Sequence, residues 1–172
     1  MKADIVKRIC AFLVLLPLLM FVGGLHAAGA RVGDVPVLPA LRTLDGTIIN
    51  PAKLRGKVVV LSYFSSTCPF CMNEAPKLQK LYRDNADKLI VIGVNIEDKD
   101  PEQKSKALIW VEKYKLMHPV TTDFSALERV LGKRKGLPVN YVFDKQGRLH
   151  RVDVGEIFDE DFDDIARFAR EK

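Results

Sequence analysis

A chain of 172 residues with 48% hydrophobic and 28% charged residues is long enough for one globular domain and too apolar for a disordered one. The formal net charge of +5 is mild, and Lys2, Lys7 and Arg8 against Asp4 leave only about +3 beyond residue 30. That excess is too small for a nucleic-acid surface, and no aromatic residues interleave with the basic ones, so no nucleic-acid partner is expected.

The first 30 residues read as a targeting segment. Lys2, Lys7 and Arg8 precede an apolar run, ICAFLVLLPLLMF at residues 9–21, and small residues follow in GGLHAAGA. Ala28-x-Ala30 is the better cleavage site of a signal peptide, and Leu25-x-Ala27 is a second. The alternative is an uncleaved anchor, because residues 9–30 carry no formal charge and about 20 apolar residues span a bilayer. Gly23, Gly24 and His26 weaken its distal half. Either reading puts one domain, residues 31–172, outside the cytoplasm, in the periplasm of a Gram-negative source.

Export makes the cysteine count informative. Cys10 belongs to the targeting segment and lies too early in the apolar run for lipid attachment. The domain is then left with Cys68 and Cys71. Exported proteins stapled for stability usually carry scattered pairs. A bridge closing so short a loop removes little entropy from the unfolded chain. Stapling is therefore the weaker explanation of this pair.

The domain opens with a Pro- and Gly-punctuated lead-in, residues 31–57, in which LDGT signals a turn and residues 47–49 a short strand. KVVVLSYF at 57–64 is a near-continuous β-branched and aromatic run, as expected of a central strand covered on both faces. Residues 69–83 read as helix, with Ala75, Leu78 and Leu81 or Tyr82 on one side. LIVIGVNI at 89–96 is a second buried strand. Residues 101–115 start with Pro and carry Leu108, Val111 and Tyr114 at helical spacing. A short strand near Val120 and a short helix at 125–131 follow. VNYVF and LHRVDV flank DKQG, a hairpin turn. A closing helix carries Phe158, Phe162, Ile165 and Phe168 or Ala169 on its apolar side. Alternating strands and helices that end in a hairpin and a helix predict an α/β mixed sheet flanked by helices.

The stretch SSTCPFCMNEAP at 65–76 lies where the first buried strand feeds a helix. Cys68 is expected to cap the helix start, Pro69 suits its first position, and Cys71 falls in the first turn. The unpaired N–H groups and dipole of a helix start favour an anion, so Cys68 is expected to be a thiolate nucleophile of lowered pKa. Cys71, one turn deeper, serves as the resolving thiol. The competing chemistry is half of a zinc site, which needs two more ligands. The domain offers only His118 and His150, 32 residues apart, so no metal is expected.

YFSSTCPFCMNEAP followed by GLPVNYVFDKQGRL resembles the thioredoxin superfamily, and more closely the exported TlpA/ResA-type proteins that include the cytochrome c maturation thioredoxins. The likeness covers roughly residues 32–170, including the lead-in and the 66 residues between Cys71 and Pro138. It implies a thioredoxin-like three-layer sandwich with an N-terminal extension and a central insert. It also implies that Pro138 is the family's cis-proline and that the Leu137 backbone pairs with substrate. Pro76 corresponds to the proline that bends the active-site helix, and mid-helix Pro kinks on physical grounds as well. Glu74 matches a partly buried glutamate that manages protons near the cysteines; its alternative is a helix-start carboxylate favoured by the dipole. Two departures touch substrate contact: Thr67 stands where many relatives have Trp, and Phe70 offers partners an apolar contact. Lys133, Arg134 and Lys135 precede the Pro138 loop, either to raise the local positive potential or simply as a solvated helix end.

The implied activity is a thiol–disulfide oxidoreductase whose redox-active Cys68–Cys71 disulfide needs no other cofactor. Its expected direction is reduction of disulfides in exported proteins, apocytochrome c among them, with recharging by a membrane thiol donor. The alternatives are an oxidant or isomerase on the same motif, a thiol peroxidase using Ser65, and a metal carrier.

Overall fold

The computed structural model describes residues 29–97 and 101–171, so the expected signal peptide or anchor at 1–30, with Cys10, falls almost wholly outside the described residues. Among the described residues no helix is long and apolar enough to cross a membrane.

The middle of the fold is the run expected to be a central strand. β3 (Val58–Phe64) is buried along its whole length, and β4 (Leu89–Asn95) is buried except for a partly exposed Ile90. Their β-branched residues suit a pleat with no solvent face. Five strands run in the order β5-β4-β3-β6-β7, with β5 at Val120–Thr121, β6 at Val139–Phe143 and β7 at Leu149–Val154. β3, β4 and β5 are parallel, and β6 and β7 are antiparallel to their neighbours. The parallel half needs helical crossovers, and the antiparallel half closes as the expected hairpin.

Side-chain alternation divides the core in two. Val59, Leu61 and Tyr63 face one layer, which receives Leu127 and Leu131 from α3 (Phe124–Leu131) and Leu41 from β1 (Leu41–Arg42). Val58 and Val60 face the other, which receives Leu78 and Leu81 from α1 (Pro69–Asn85) and Phe162, Ile165, Ala166 and Ala169 from α4 (Asp159–Arg170). α2 (Pro101–Lys113) adds Trp110 to a smaller cluster with Phe64, Cys71 and Ala75. The result is the expected three-layer α/β sandwich.

The N-terminal extension docks on the sheet. β1 pairs antiparallel with β2 (Ile48–Ile49), and Thr43 bridges Thr121 at the β5 edge. β1 was not expected, because two residues carry too short a pattern to be read; Thr47 lies just outside β2.

Two expected core positions are exposed. Leu108 of α2 is 47% exposed, and the buried face is instead set by Ala107 and Trp110, with Val111 and Tyr114 partly covered. Phe158 is 64% exposed although it lies four residues before Phe162. Helical spacing would align the two, but Phe158 is the N-cap, with extended backbone (φ −101°, ψ 176°), and so leaves the apolar stripe. Its N–H instead donates to Asp161 Oδ2 at 3.1 Å, in a first turn whose three acids suit the helix dipole.

Replacing Phe162 with Ala is expected to lower stability by about 3–5 kcal/mol in urea unfolding. Phe158→Ala is expected to stay within about 0.5 kcal/mol of the parent, as for other surface substitutions.

Candidate active site

β3 ends beneath the head of α1, and the turn between them carries the cysteines. Cys68 is the N-cap of α1, in extended conformation (φ −84°, ψ 112°), with Pro69 at the first helical position. Its Sγ accepts the Cys71 N–H at 3.2 Å and is joined to Cys71 in a disulfide. Cys68 is half-buried and Cys71 only 2% exposed. The pair is thus asymmetric, with one sulfur reachable at a positive helix end and the other covered. Pro76 lies inside α1, where it has no N–H to offer the Met72 carbonyl.

Strand register brings the remaining pieces to this turn. Tyr63 of β3 lies opposite Val139 of β6, so Pro138 and Leu137 fall beside the end of β3. The Leu137–Pro138 bond is cis, Pro138 is buried, and Leu137 is half-buried against the cluster that contains Cys68. Thr67 and Phe70 are exposed on the rim, Phe70 at 56%. Thr67 Oγ1 lies 3.0 Å from Ser65 Oγ, which also accepts the Thr67 N–H at 3.2 Å.

Glu74 is 1% exposed, deeper than a partly buried carboxylate. It lies one turn beyond Cys71, where its Oε1 accepts the Ile157 N–H at 2.8 Å and its Oε2 accepts from Asn140 Nδ2 at 3.1 Å. Burial raises its pKa; those two hydrogen bonds oppose the rise, and the charges of Glu156 and Asp153 add to it. An exposed carboxylate serving only the helix dipole would have neither feature.

Of the three basic residues before Gly136, Lys133 and Lys135 are exposed. Arg134 is paired with Glu128 and lies over the Phe124 ring at 5.6 Å, so its charge is already compensated. His150 stacks on Phe168 at 4.0 Å, while His118 is buried near Cys71. Among the described residues no three His, Cys, Asp or Glu side chains gather as metal ligands.

Two residues of the site escaped the sequence reading. Glu97 accepts the Ser66 N–H and Ser66 hydroxyl, both at 2.8 Å, and Asn95 Nδ2 at 3.0 Å. Burial alone would raise its pKa, but these donated bonds outweigh it and hold Glu97 below the ordinary glutamate value. It therefore clamps the turn that precedes Cys68 as a fixed anion. The other is His118, weighed in the sequence only as a metal ligand, which lines the same cavity as Cys71 and Glu74. The available signal for Glu97 was its place just past the end of a parallel strand, where loops converge in such sheets.

The raised pKa of Glu74 fixes the sign of a stability effect. Between the unfolded carboxyl value, near 4.5, and the raised folded value, the folded state binds more protons than the unfolded one. Stability contributed by the protonated group is thus present below that window and is lost as pH rises through it. Glu74→Gln is expected to melt above the parent at pH near 7.5 and to lose that advantage near pH 4. Thermal melts of both proteins across this range check it, and a gap that does not change with pH would contradict it.

The AhpC/TSA family profile matches residues 33–152. The thioredoxin-like protein YneN of Bacillus subtilis is 28% identical over 116 residues, covering 67% of this chain and 67% of that one. The thiol-disulfide oxidoreductase ResA of Halalkalibacterium halodurans is 28% identical over 127 residues, 73% of this chain and 70% of that one. Among solved structures, a thiol:disulfide interchange protein of the thioredoxin family from Chlorobium tepidum superposes with a TM-score of 0.67 at 27% identity, over 83% of this chain and 99% of its own. With the mixed five-stranded sheet and the disulfide at the head of α1, the chain belongs to the AhpC/TSA family and is a thioredoxin-like thiol–disulfide oxidoreductase.

Proposed function

We propose that this oxidoreductase works outside the cytoplasm as a reductant of disulfides in exported proteins. The observation that carries the exchange chemistry is the asymmetry of the pair, a reachable Cys68 at the helix start above a covered Cys71. In the reduced protein the Cys68 thiolate attacks one sulfur of the substrate disulfide, and the other sulfur leaves as a thiolate. Cys71 then attacks Cys68 Sγ, closing the internal disulfide and releasing the substrate thiol. Two electrons pass from the cysteine pair to the substrate, and a membrane thiol donor returns them.

Leu137 and Pro138 form the proposed substrate edge, with the Leu137 backbone pairing an extended segment of the partner beside Cys68. Thr67 and Phe70 supply the rim, and the exposed Phe70 ring gives an apolar contact. Glu74 handles the proton of the resolving thiol. The resemblance of the cysteine and Pro138 motifs to the exported TlpA/ResA-type proteins supports the reducing direction, and the targeting pattern of residues 1–30 supports an extracytoplasmic site. Apocytochrome c is the proposed substrate class, because haem attachment at Cys-x-x-Cys-His needs both thiols free. A reductant requires a potential toward the negative end of the roughly −270 to −120 mV spanned by thioredoxin-like pairs.

Replacing Cys71 with Ser and isolating proteins held on Cys68 is the direct test. The expected result is exported, cysteine-containing partners that dithiothreitol releases, together with insulin reduction by the parent protein and none by Cys68→Ser. Absence of both trapped partners and insulin reduction would remove the assignment. A potential near −120 mV would replace the reductant with an oxidant.

A further inference from the structure

On the face beneath α1 the apolar pattern of the three central strands is broken at Ser62 in β3, Gly93 in β4 and Asn140 in β6, and again at Asn95 where β4 ends. Register aligns them. Ser62 lies opposite Gly93 on one side and opposite Asn140 on the other, and Asn140 lies opposite Asp153 of β7. A transverse row of small or polar residues therefore crosses the sheet beneath the first turns of α1. Above its Ser62–Gly93 stretch is a small cavity of about 20 Å³, room for a single water. Its walls include Ser62, Gly93, Cys71, Glu74, His118 and Pro138. A Cβ on Gly93 would come within 3.2 Å of Phe64 and Val120 and 3.3 Å of His118 Cε1, so a larger residue would press these side chains back by a few tenths of an ångström.

His118 is 5% exposed, and its Nδ1 lies 3.2 Å from the Pro119 carbonyl oxygen. A carbonyl can only accept, so Nδ1 carries the hydrogen. Burial pushes the ring pKa down to about 4, against the weaker opposing effect of that hydrogen bond, so the ring is neutral at physiological pH. Nε2 is then a bare acceptor, and it has no partner among the described residues. A buried acceptor left unmade costs on the order of 1–3 kcal/mol. Water is the donor that suits a cavity with two to four polar groups around it. The titratable and charged neighbours are few: the Tyr82 ring meets His118 edge-on at 6.0 Å, Glu156 and Asp153 act on Glu74, and Lys77 is paired with Asp159.

We propose that His118 is a positioning residue whose Nε2 fixes a water in this cavity, and that this water carries the Cys71 proton to and from Glu74. The inference rests on the reading of Cys68 and Cys71 as an exchange pair. In the closing step the Cys71 thiol gives its proton to the water as the water gives one to the Glu74 carboxylate. The sulfur electron pair forms the bond to Cys68 Sγ, and the bond from Cys68 to the substrate sulfur breaks. The substrate leaves as a thiolate with two electrons gained, and the Cys71 proton ends on Glu74. Reduction by the donor thiol runs the same path backwards and returns the proton to Cys71. His118 stays neutral throughout, as its low pKa requires.

The test follows closure of a glutathione mixed disulfide on Cys68 in the full chain. The single tryptophan, Trp110, lines the cavity and stacks on Phe64 at 5.2 Å, so its fluorescence reports the step. His118→Phe keeps a ring but removes the acceptor, whereas His118→Gln keeps an acceptor. Near pH 7 His118→Phe is expected to close about tenfold more slowly than the parent, less than the loss of a general base itself, because His118 only positions the water. Toward pH 9 hydroxide takes over removal of the thiol proton, so the gap is expected to shrink to about twofold. His118→Gln is expected to stay within about threefold of the parent at both. Equal slowing at every pH, or none, would overturn the proposal. Ring nitrogen shifts of His118 in the unaltered protein give an independent readout if the Phe variant does not fold. Hydrogen on Nδ1 with an Nε2 shift that moves on reduction is expected; hydrogen on Nε2 in both redox states overturns the idea. A parent protein that fails to close the mixed disulfide would instead defeat the exchange reading.

Discussion

Everything at this site depends on how β3 is paired on its two sides. β4 runs parallel to it, with Phe64 opposite Asn95, so the end of β4 delivers Asn95 and Glu97 to the Ser65–Ser66 turn. β6 runs antiparallel, with Tyr63 opposite Val139, so the start of β6 delivers Leu137 and Pro138 to the same place. One strand end therefore receives a carboxylate clamp from one neighbour and a cis-proline from the other. A slip of one residue in either pairing would exchange the side chains that the two core layers receive, and the full burial of β3 makes such a mismatch costly. The position of Cys68 follows from that constraint, since the helix it caps begins five residues after β3 ends.

Two carboxylates beside the turn are driven in opposite directions by their surroundings. Glu97 is partly covered but takes three donated hydrogen bonds, which keep it ionised. Glu74 is almost fully covered and takes two, which do not compensate its desolvation, with Glu156 and Asp153 adding to the penalty. A fixed anion suits a structural clamp, and a carboxyl poised closer to neutrality suits proton exchange. The environments, rather than the residue type, divide the roles.

The sheet, its helices and the cysteine motif were legible because each is written in local pattern. VVVLSYF and LIVIGVN are buried on both faces, the hairpin strands fall at 139–143 and 149–154 as expected, and Pro69 marks the helix start. What stayed hidden depends on pairing between distant segments. Glu97 is an unremarkable acid until register sets it beside Ser66, and His118 is a lone histidine until Val120 pairs with Gly93 and draws it under α1. Leu108 and Phe158 failed for a related reason. Periodicity states which residues share a face, but not where the helix begins or which face the sheet covers.

The row of Ser62, Gly93 and Asn140 explains why the pattern inside the strands is interrupted at all. On the opposite face Leu61, Tyr63, Ile92, Val94, Val139 and Tyr141 fill the core without a break. A fold selected for stability alone would carry comparable bulk on the α1 face too, and would leave neither a buried carboxylate nor an unpaired imidazole nitrogen there. The interruptions coincide with the span of α1 that holds Cys71 and Glu74, and they give way to Val60, Val91 and Val142 further along, where α1 presents Leu78 and Leu81. The same helix thus packs as an ordinary core element over its later turns and as a polar site over its first. The sequence places the change of character on three strands at once, which is the strongest sign that the cavity under Cys71 belongs to the chemistry rather than to loose packing.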